Sequence, residues 1–159
     1  MLITIISGSP REGSRSLEFA TELFEMTIQE NQESEVSLIS IADMEINGCC
    51  GCDACKTTFE CVIDDEVSDI VDYVRTADEL IVVTPIYMAG VPSQLKALLD
   101  RFQPMFWEGI RHCDNLKPAH LHLFGEGKDP YGIKGAELTL RSALKVAGFE
   151  VENVDTHIS

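Results

Sequence analysis

Residues 2–6 (LITII) form an unbroken apolar run that stops at Ser7-Gly8-Ser9-Pro10. A short run of that kind, closed by turn residues, suits a strand buried on both faces of a sheet. From Ser16 the period changes, and Leu17, Ala20, Phe24 and Ile28 share one helix face. The same strand-then-helix unit recurs along the chain. Strands are expected at 35–40 (EVSLIS), 79–84 (ELIVVT, stopped by Pro85), 119–124 (AHLHLF) and 149–154 (FEVENV). Helices are expected at 65–76, after Pro85 with Leu95, Leu98, Leu99 and Phe102 inward, and at 134–147. The last turns Ala136, Leu140, Ala143, Leu144 and Ala147 inward, and Gly148 stands where a C-cap belongs. Residues 41–63 and 103–117 read as connections.

Strands that alternate with helices require a parallel sheet, helices on both faces and right-handed crossovers. The 159 residues suit one domain, 1–159, with a cysteine-rich loop at 47–63. The expected fold is α/β, a flavodoxin-like doubly wound five-stranded parallel sheet of order 2-1-3-4-5. Its ligand site lies beyond the carboxyl ends of the first and third strands. That rule points at loops 7–16, 84–92 and 125–132.

The net charge of −15 argues against nucleic acid and anionic membrane, which need Lys and Arg to neutralise phosphates. It suits a solvated surface, or a redox protein that meets a basic partner. The opening MLITIISGSP has no basic segment and no small-residue cleavage site, so it reads as a strand and not as a signal peptide. No apolar run approaches the ~20 residues of a membrane span. A cytoplasmic protein is expected, and there six cysteines are thiols, metal ligands or redox groups sooner than a disulfide framework.

The first of the three loops carries the strongest chemistry. A helix N-terminus offers an anion unpaired N–H groups and the positive end of the dipole. Ser9, Ser14 and Ser16 add hydroxyls, Arg11 adds a planar charged fork, and Gly8 and Gly13 allow close backbone approach. Phosphate binding is expected, although Ser14 or Ser16 also suits a plain N-cap. The loop is neither a Walker A motif nor GxGxxG.

Ser7-Gly8-Ser9-Pro10-Arg11 with Gly13-Ser14-x-Ser16 resembles the NAD(P)H-dependent FMN reductase family of flavodoxin-like proteins. So does Thr84-Pro85-Ile86-Tyr87 followed by Pro92-Ser93-x-Leu95-Lys96-x-x-x-Asp100-Arg101. The resemblance is good over about residues 1–102 and loose beyond. It implies that Ser9, Arg11, Gly13, Ser14 and Ser16 hold the phosphate of FMN. It also implies that Pro85, Ile86, Tyr87, Met88, Ala89 and Gly90 pass the isoalloxazine ring, with backbone N–H groups of the last three offered to the flavin carbonyls. The implied activity is an oxidoreductase taking a hydride from NAD(P)H. Electrons then go to a cluster, a quinone, a nitro or azo compound, or a protein acceptor. No catalytic acid or base is assigned, since the flavin carries the chemistry. A homodimer or higher homo-oligomer is implied.

Cys49-x2-Cys52-x2-Cys55-x5-Cys61 packs four thiols into one loop, with Cys50 spare and Cys113 distant. Such spacing can wrap a [4Fe–4S] cluster or hold zinc, and the thiols could also be reactive or disulfide-forming. Cys61-Val62-Ile63-Asp64-Asp65 extends a resemblance to the iron–sulfur flavoproteins, a branch of the same family, which implies the cluster. The chain departs from that branch in closing on a fifth strand, without the branch's closing helix.

In the third loop Gly125 allows backbone approach to the flavin and Tyr131 can stack on a ring. His120 and His122 fall on one face of a strand, as core or edge residues sooner than ligands. Asp100-Arg101 reads as a structural ion pair or a surface feature. Two rivals to the oxidoreductase remain open. One is a non-enzymatic FMN/iron–sulfur electron carrier between protein partners. The other is a redox- or metal-sensing protein without flavin.

Overall fold

β1 (Leu2–Ser7) lies at the centre of the molecule, buried along its length after Leu2. The computed structural model describes residues 1–159. α1 (Arg15–Glu30) leads to β2 (Glu35–Ser40), and the cysteine-rich stretch leads through the one-turn α2 (Cys55–Thr58) to α3 (Val67–Thr76). β3 (Glu79–Pro85), α4 (Ser93–Asp100), α5 (Gln103–Glu108) and a 3-10 turn at Ile110–His112 follow. β4 (Lys117–Gly125), α6 (Lys134–Val146) and β5 (Phe149–Ile158) complete the chain. All five strands pair in parallel in the order 2-1-3-4-5, the flavodoxin-like order expected from the pattern.

The larger apolar cluster fills one face of the sheet. Ile6, Leu80, Val82, Leu121 and Leu123 meet α3, α4 and α6 there. Leu95, Leu98, Leu99 and Phe102 all belong to it, as do Leu140, Leu144 and Ala147, and Ala136 is buried as well. The other face is thinner: Ile3, Ile5, Ile81 and Val83 pack against Ala20, with Phe19, Leu23 and Phe24 around them. Only α1 covers it.

Four expectations need correction. Ile28 is exposed, because the buried stripe of α1 runs through Ser16, Ala20 and Thr27 and so lies one residue out of phase with it. Residues 103–117 are not a plain connection: Pro104 opens α5 in its first turn, where its missing N–H costs nothing, and Gly109 closes it. Within 41–63, Cys55–Thr58 coils into one helical turn. β5 runs four residues further than expected, because β4 pairs with it as far as Gly125.

Candidate functional site

At the carboxyl ends of β1 and β3 the first two loops lie against each other. Gly8 donates its N–H to Val83 O at 2.8 Å, extending the ladder past the strand. A Cβ on Gly8 would stand 2.5 Å from Leu95 Cδ2 and 2.8 Å from Thr84 Oγ1, so only glycine lets the loops touch. Beside them opens a cleft of about 690 Å³, within the ~300–1,000 Å³ usual for small-molecule sites.

One wall is the N-terminus of α1. Ser14 is the N-cap: its hydroxyl accepts from the Leu17 N–H at 3.2 Å and touches the Ser16 hydroxyl at 3.3 Å. Ser9 braces the loop, its hydroxyl accepting from Arg11 N and donating to Arg11 O, both at 3.2 Å. The N–H groups of Arg15 and Ser16 open the helix and have no intrahelical acceptor. Ser9, Arg11, Ser14 and Ser16 all line the cleft, while Gly13 shapes the turn beneath them at φ +62°. Sequence reasoning passes over Arg15, which also lines the cleft and lies 5.8 Å from the Phe124 ring. A basic residue at the first helical position is the signal for it.

Pro85, Ile86 and Tyr87 form the opposite wall. Tyr87 and Gly90 then exchange two N–H···O bonds of 2.9 Å around a two-residue turn. The Gly90 N–H is therefore already taken, and only those of Met88 and Ala89 remain to meet a ligand. Both turn residues hold positive φ, +49° and +62°, where side chains are strained. Met88 is almost fully exposed at the rim, and neither it nor Ala89 or Gly90 forms the cleft wall. The turn is docked on α6: a Cβ at Gly135 would come within 2.3 Å of Ala89 O. From the third loop Gly125 lines the cleft, with Phe124 and Lys128, which the sequence reading omits. Tyr131 does not; it is exposed, and its N–H bonds to Asp129 Oδ1 at 2.8 Å.

The cysteine loop builds a second pocket, of about 240 Å³. Cys49, Cys52, Cys55 and Cys61 all line it, as does Cys50. All six cysteines are free thiols, and only Cys55 is buried. Burial pushes the Cys55 thiol up, and the nearby Cys61, Cys49 and Cys52 push it the same way. Gly51 donates its N–H to Cys49 Sγ at 3.4 Å. No three ligand side chains converge closely enough to share one metal ion. Trp107, from α5, closes one side, with Lys56 Nζ 4.7 Å from its ring centroid.

Arg101 also lines this pocket, and it is not paired with its neighbour. Asp100 bonds to Lys96 on the surface, whereas Arg101 is buried and makes a two-pronged pair with Asp65. Burial alone would raise the Asp65 carboxyl, but hydrogen bonds from Arg101, Asn47 and Val67 outweigh it and hold it at about 2.

His120 and His122 do share a face of β4, the thinly covered one. His122 Nδ1 lies 3.2 Å from His157 Nε2, and His157 stacks on Phe124 at 4.3 Å between centroids. Burial pushes the His122 ring down against the pull of Asp155.

The chain is similar to two kinds of known protein. Among curated sequences, an iron-sulfur flavoprotein of Methanocaldococcus jannaschii is 39% identical over 105 residues, 66% of this chain and 53% of that protein. One from Methanosarcina thermophila is 41% identical over 101 residues, 64% of this chain and 52% of that protein. The chain thus spans about half the length of the curated relatives it matches. Among solved structures, an apo NADH:FMN oxidoreductase superposes with a TM-score of 0.66 at 26% identity, covering 99% of this chain and 74% of that one. An azoreductase from Bacillus anthracis, at 14% identity, shares the fold with a TM-score of 0.71 over 99% of this chain and 86% of its own. No helix is long and apolar enough to cross a membrane. The family model for NADPH-dependent FMN reductase matches residues 1–155, and the chain belongs to that family.

Proposed function

We propose that this chain is an FMN-dependent oxidoreductase that draws electrons from NAD(P)H. It passes them to an iron–sulfur cluster, a quinone, a nitro or azo compound, or a protein acceptor. The observation that carries the reading is the cleft itself. A serine-rich helix N-terminus and the switch-point loop face each other across a space of flavin-nucleotide size.

Ser9, Arg11, Gly13, Ser14 and Ser16 hold the phosphate: Arg11 and Arg15 supply charge, and the first turn of α1 supplies N–H donors and the dipole. Pro85, Ile86 and Tyr87 form the wall for the ring. Met88 and Ala89 offer N–H groups, Gly90 fixes the turn that presents them, and Gly125 closes the third side. FMN, when bound, supplies both hydride acceptance and one-electron transfer. The protein's part is orientation and electrostatics, and no side chain is assigned as acid or base.

Cys49, Cys52, Cys55 and Cys61 hold a [4Fe–4S] cluster, with Cys50 outside the ligand set. The cluster, when bound, supplies one-electron relay. The gathered thiols and the Gly51 N–H at Cys49 support this over scattered core cysteines. The chain works as a homodimer, a state that light scattering reads directly.

An anaerobic absorbance spectrum with flavin, iron and zinc quantification tests both cofactors. Steady-state NAD(P)H oxidation by the loaded protein tests the activity. The charge of −15 favours one rival, a carrier that exchanges electrons only with basic protein partners. Negligible NAD(P)H turnover by a fully loaded protein would establish that rival instead.

A further inference from the structure

We propose that Arg101 is the positioning residue of the cysteine pocket: it clasps both ends of the loop and gives its last free N–H to the sulfur ligands of the cluster. The proposal rests on the reading of that loop as a cluster site.

The clasp is complete in the structure. Nη1 donates to Asn47 O and Asp65 Oδ2, both at 2.8 Å. Nη2 donates to Ile63 O at 3.2 Å and to Asp65 Oδ1 at 3.0 Å. Asn47 stands two residues before Cys49 and Ile63 two residues after Cys61, so one planar guanidinium ties the entry of the loop to its exit. Asp65 completes the ring by accepting from the Asn47 backbone and side chain at 3.1 and 3.2 Å. Arginine suits this task because its donors form a rigid fork; a lysine offers a single point charge.

One donor is left over. Arg101 Nε makes no hydrogen bond, and it is buried, the side chain being only 1% exposed. A buried, unshared N–H is costly, and a charged one more so. Arg101 lines the pocket together with Cys61. A thiolate or cluster sulfide is the acceptor that the pocket's own chemistry provides. Hydrogen bonds to sulfur raise the reduction potential of such centres.

The test compares the full chain with Arg101→Lys and with Arg101→Met/Asp65→Leu, which removes both charges together so that neither is left buried alone. Each is purified anaerobically and reconstituted with ferrous iron and sulfide. Iron and FMN per chain, the rate of iron loss to a chelator, and the cluster potential by EPR titration are then measured. FMN content is expected to be unchanged. Iron loss is expected to be about 10–100-fold faster in both variants, the usual scale for outer-shell partners. The residual cluster is expected at a lower potential than in the unaltered chain. Equal retention and equal potential would overturn the role of Arg101 while leaving the cluster reading intact. An unaltered chain that takes up no iron would overturn the cluster reading, and the proposal with it. Should both variants fail to fold, the unaltered chain decides. With arginine carrying heavy nitrogen, the reduced cluster is expected to show a nitrogen hyperfine coupling in pulsed EPR, and its absence would overturn the proposal.

Discussion

Arg101 and Asp65 meet in a fork of two hydrogen bonds, 2.8 and 3.0 Å, with each side chain only 1% exposed. The pair is a buried ionic joint between the C-cap of α4 and the exit of the cysteine loop.

That joint gives the molecule an acid limit. The Asp65 carboxyl sits at about 2 in the folded chain, below its ordinary value near 3.8. A lowered folded value adds stability that is full above the unfolded value and is lost as pH falls from about 4 through about 2. Asp65→Asn is expected to cost about 3–5 kcal/mol at neutral pH, since it leaves Arg101 buried and unpaired. The gap between the two proteins should narrow over that acid window, as followed by urea unfolding at several pH values. A gap independent of pH would contradict the assignment.

His122 acts at a higher pH. Its ring is held below the ordinary histidine value by burial, so protonation favours the unfolded chain. Stability should fall as pH drops below about 6.5, the unperturbed value. In His122→Gln this part of the pH profile should flatten, which thermal melts between pH 5 and 8 on the order of one unit apart can check.

Gly8 is the contact between the two cleft loops. Gly8→Ala should force Leu95 and Thr84 aside, at the ~1–3 kcal/mol typical of overpacking, and lower the melting temperature of the flavin-free chain. It should weaken FMN binding as well. A variant with unchanged stability would show that the loops have room that the structure denies them.

The turn at Met88 and Ala89 is built from residues that resist it. Asn-Gly is the favoured pair for two successive positive φ values. Met88→Asn/Ala89→Gly is expected to stabilise the chain by about 1–2 kcal/mol, on the scale of left-handed strain. The readout is the urea midpoint at unchanged slope. No gain would mean that the strain is relieved in some way the structure does not contain.

Much of this architecture was legible beforehand, and the reason is periodicity. β2 falls on residues 35–40 because an apolar run bounded by polar turns has few other solutions, and Leu95, Leu98 and Leu99 declare one face of a helix. The cleft residues Ser9, Arg11, Ser14 and Ser16 were legible because strand-to-helix loops at a switch point have a fixed place. What escaped depends on packing between distant segments. α5 has too few turns to show a period. The partner of Arg101 lies 36 residues away, while Asp100 is its sequence neighbour, and only the fold decides between them. Tyr131 looks like a ring-stacking residue in sequence, yet its loop turns it outward.

Replacing Ser9 and Arg11 together by Ala should weaken FMN binding by several kcal/mol in sum, at ~1.5–3 for each hydrogen bond to a charged group. Fluorescence titration of the flavin-free protein reads this. Unchanged affinity would remove the loop from the site.

The most direct test of the phosphate grip compares FMN with riboflavin, which lacks only the phosphate, by calorimetry on the flavin-free chain. FMN is expected to bind far more tightly, with the difference collapsing when Ser9 and Arg11 are both Ala. Equal affinity for the two flavins in the unaltered protein would contradict the claim that the N-terminus of α1 holds a nucleotide phosphate.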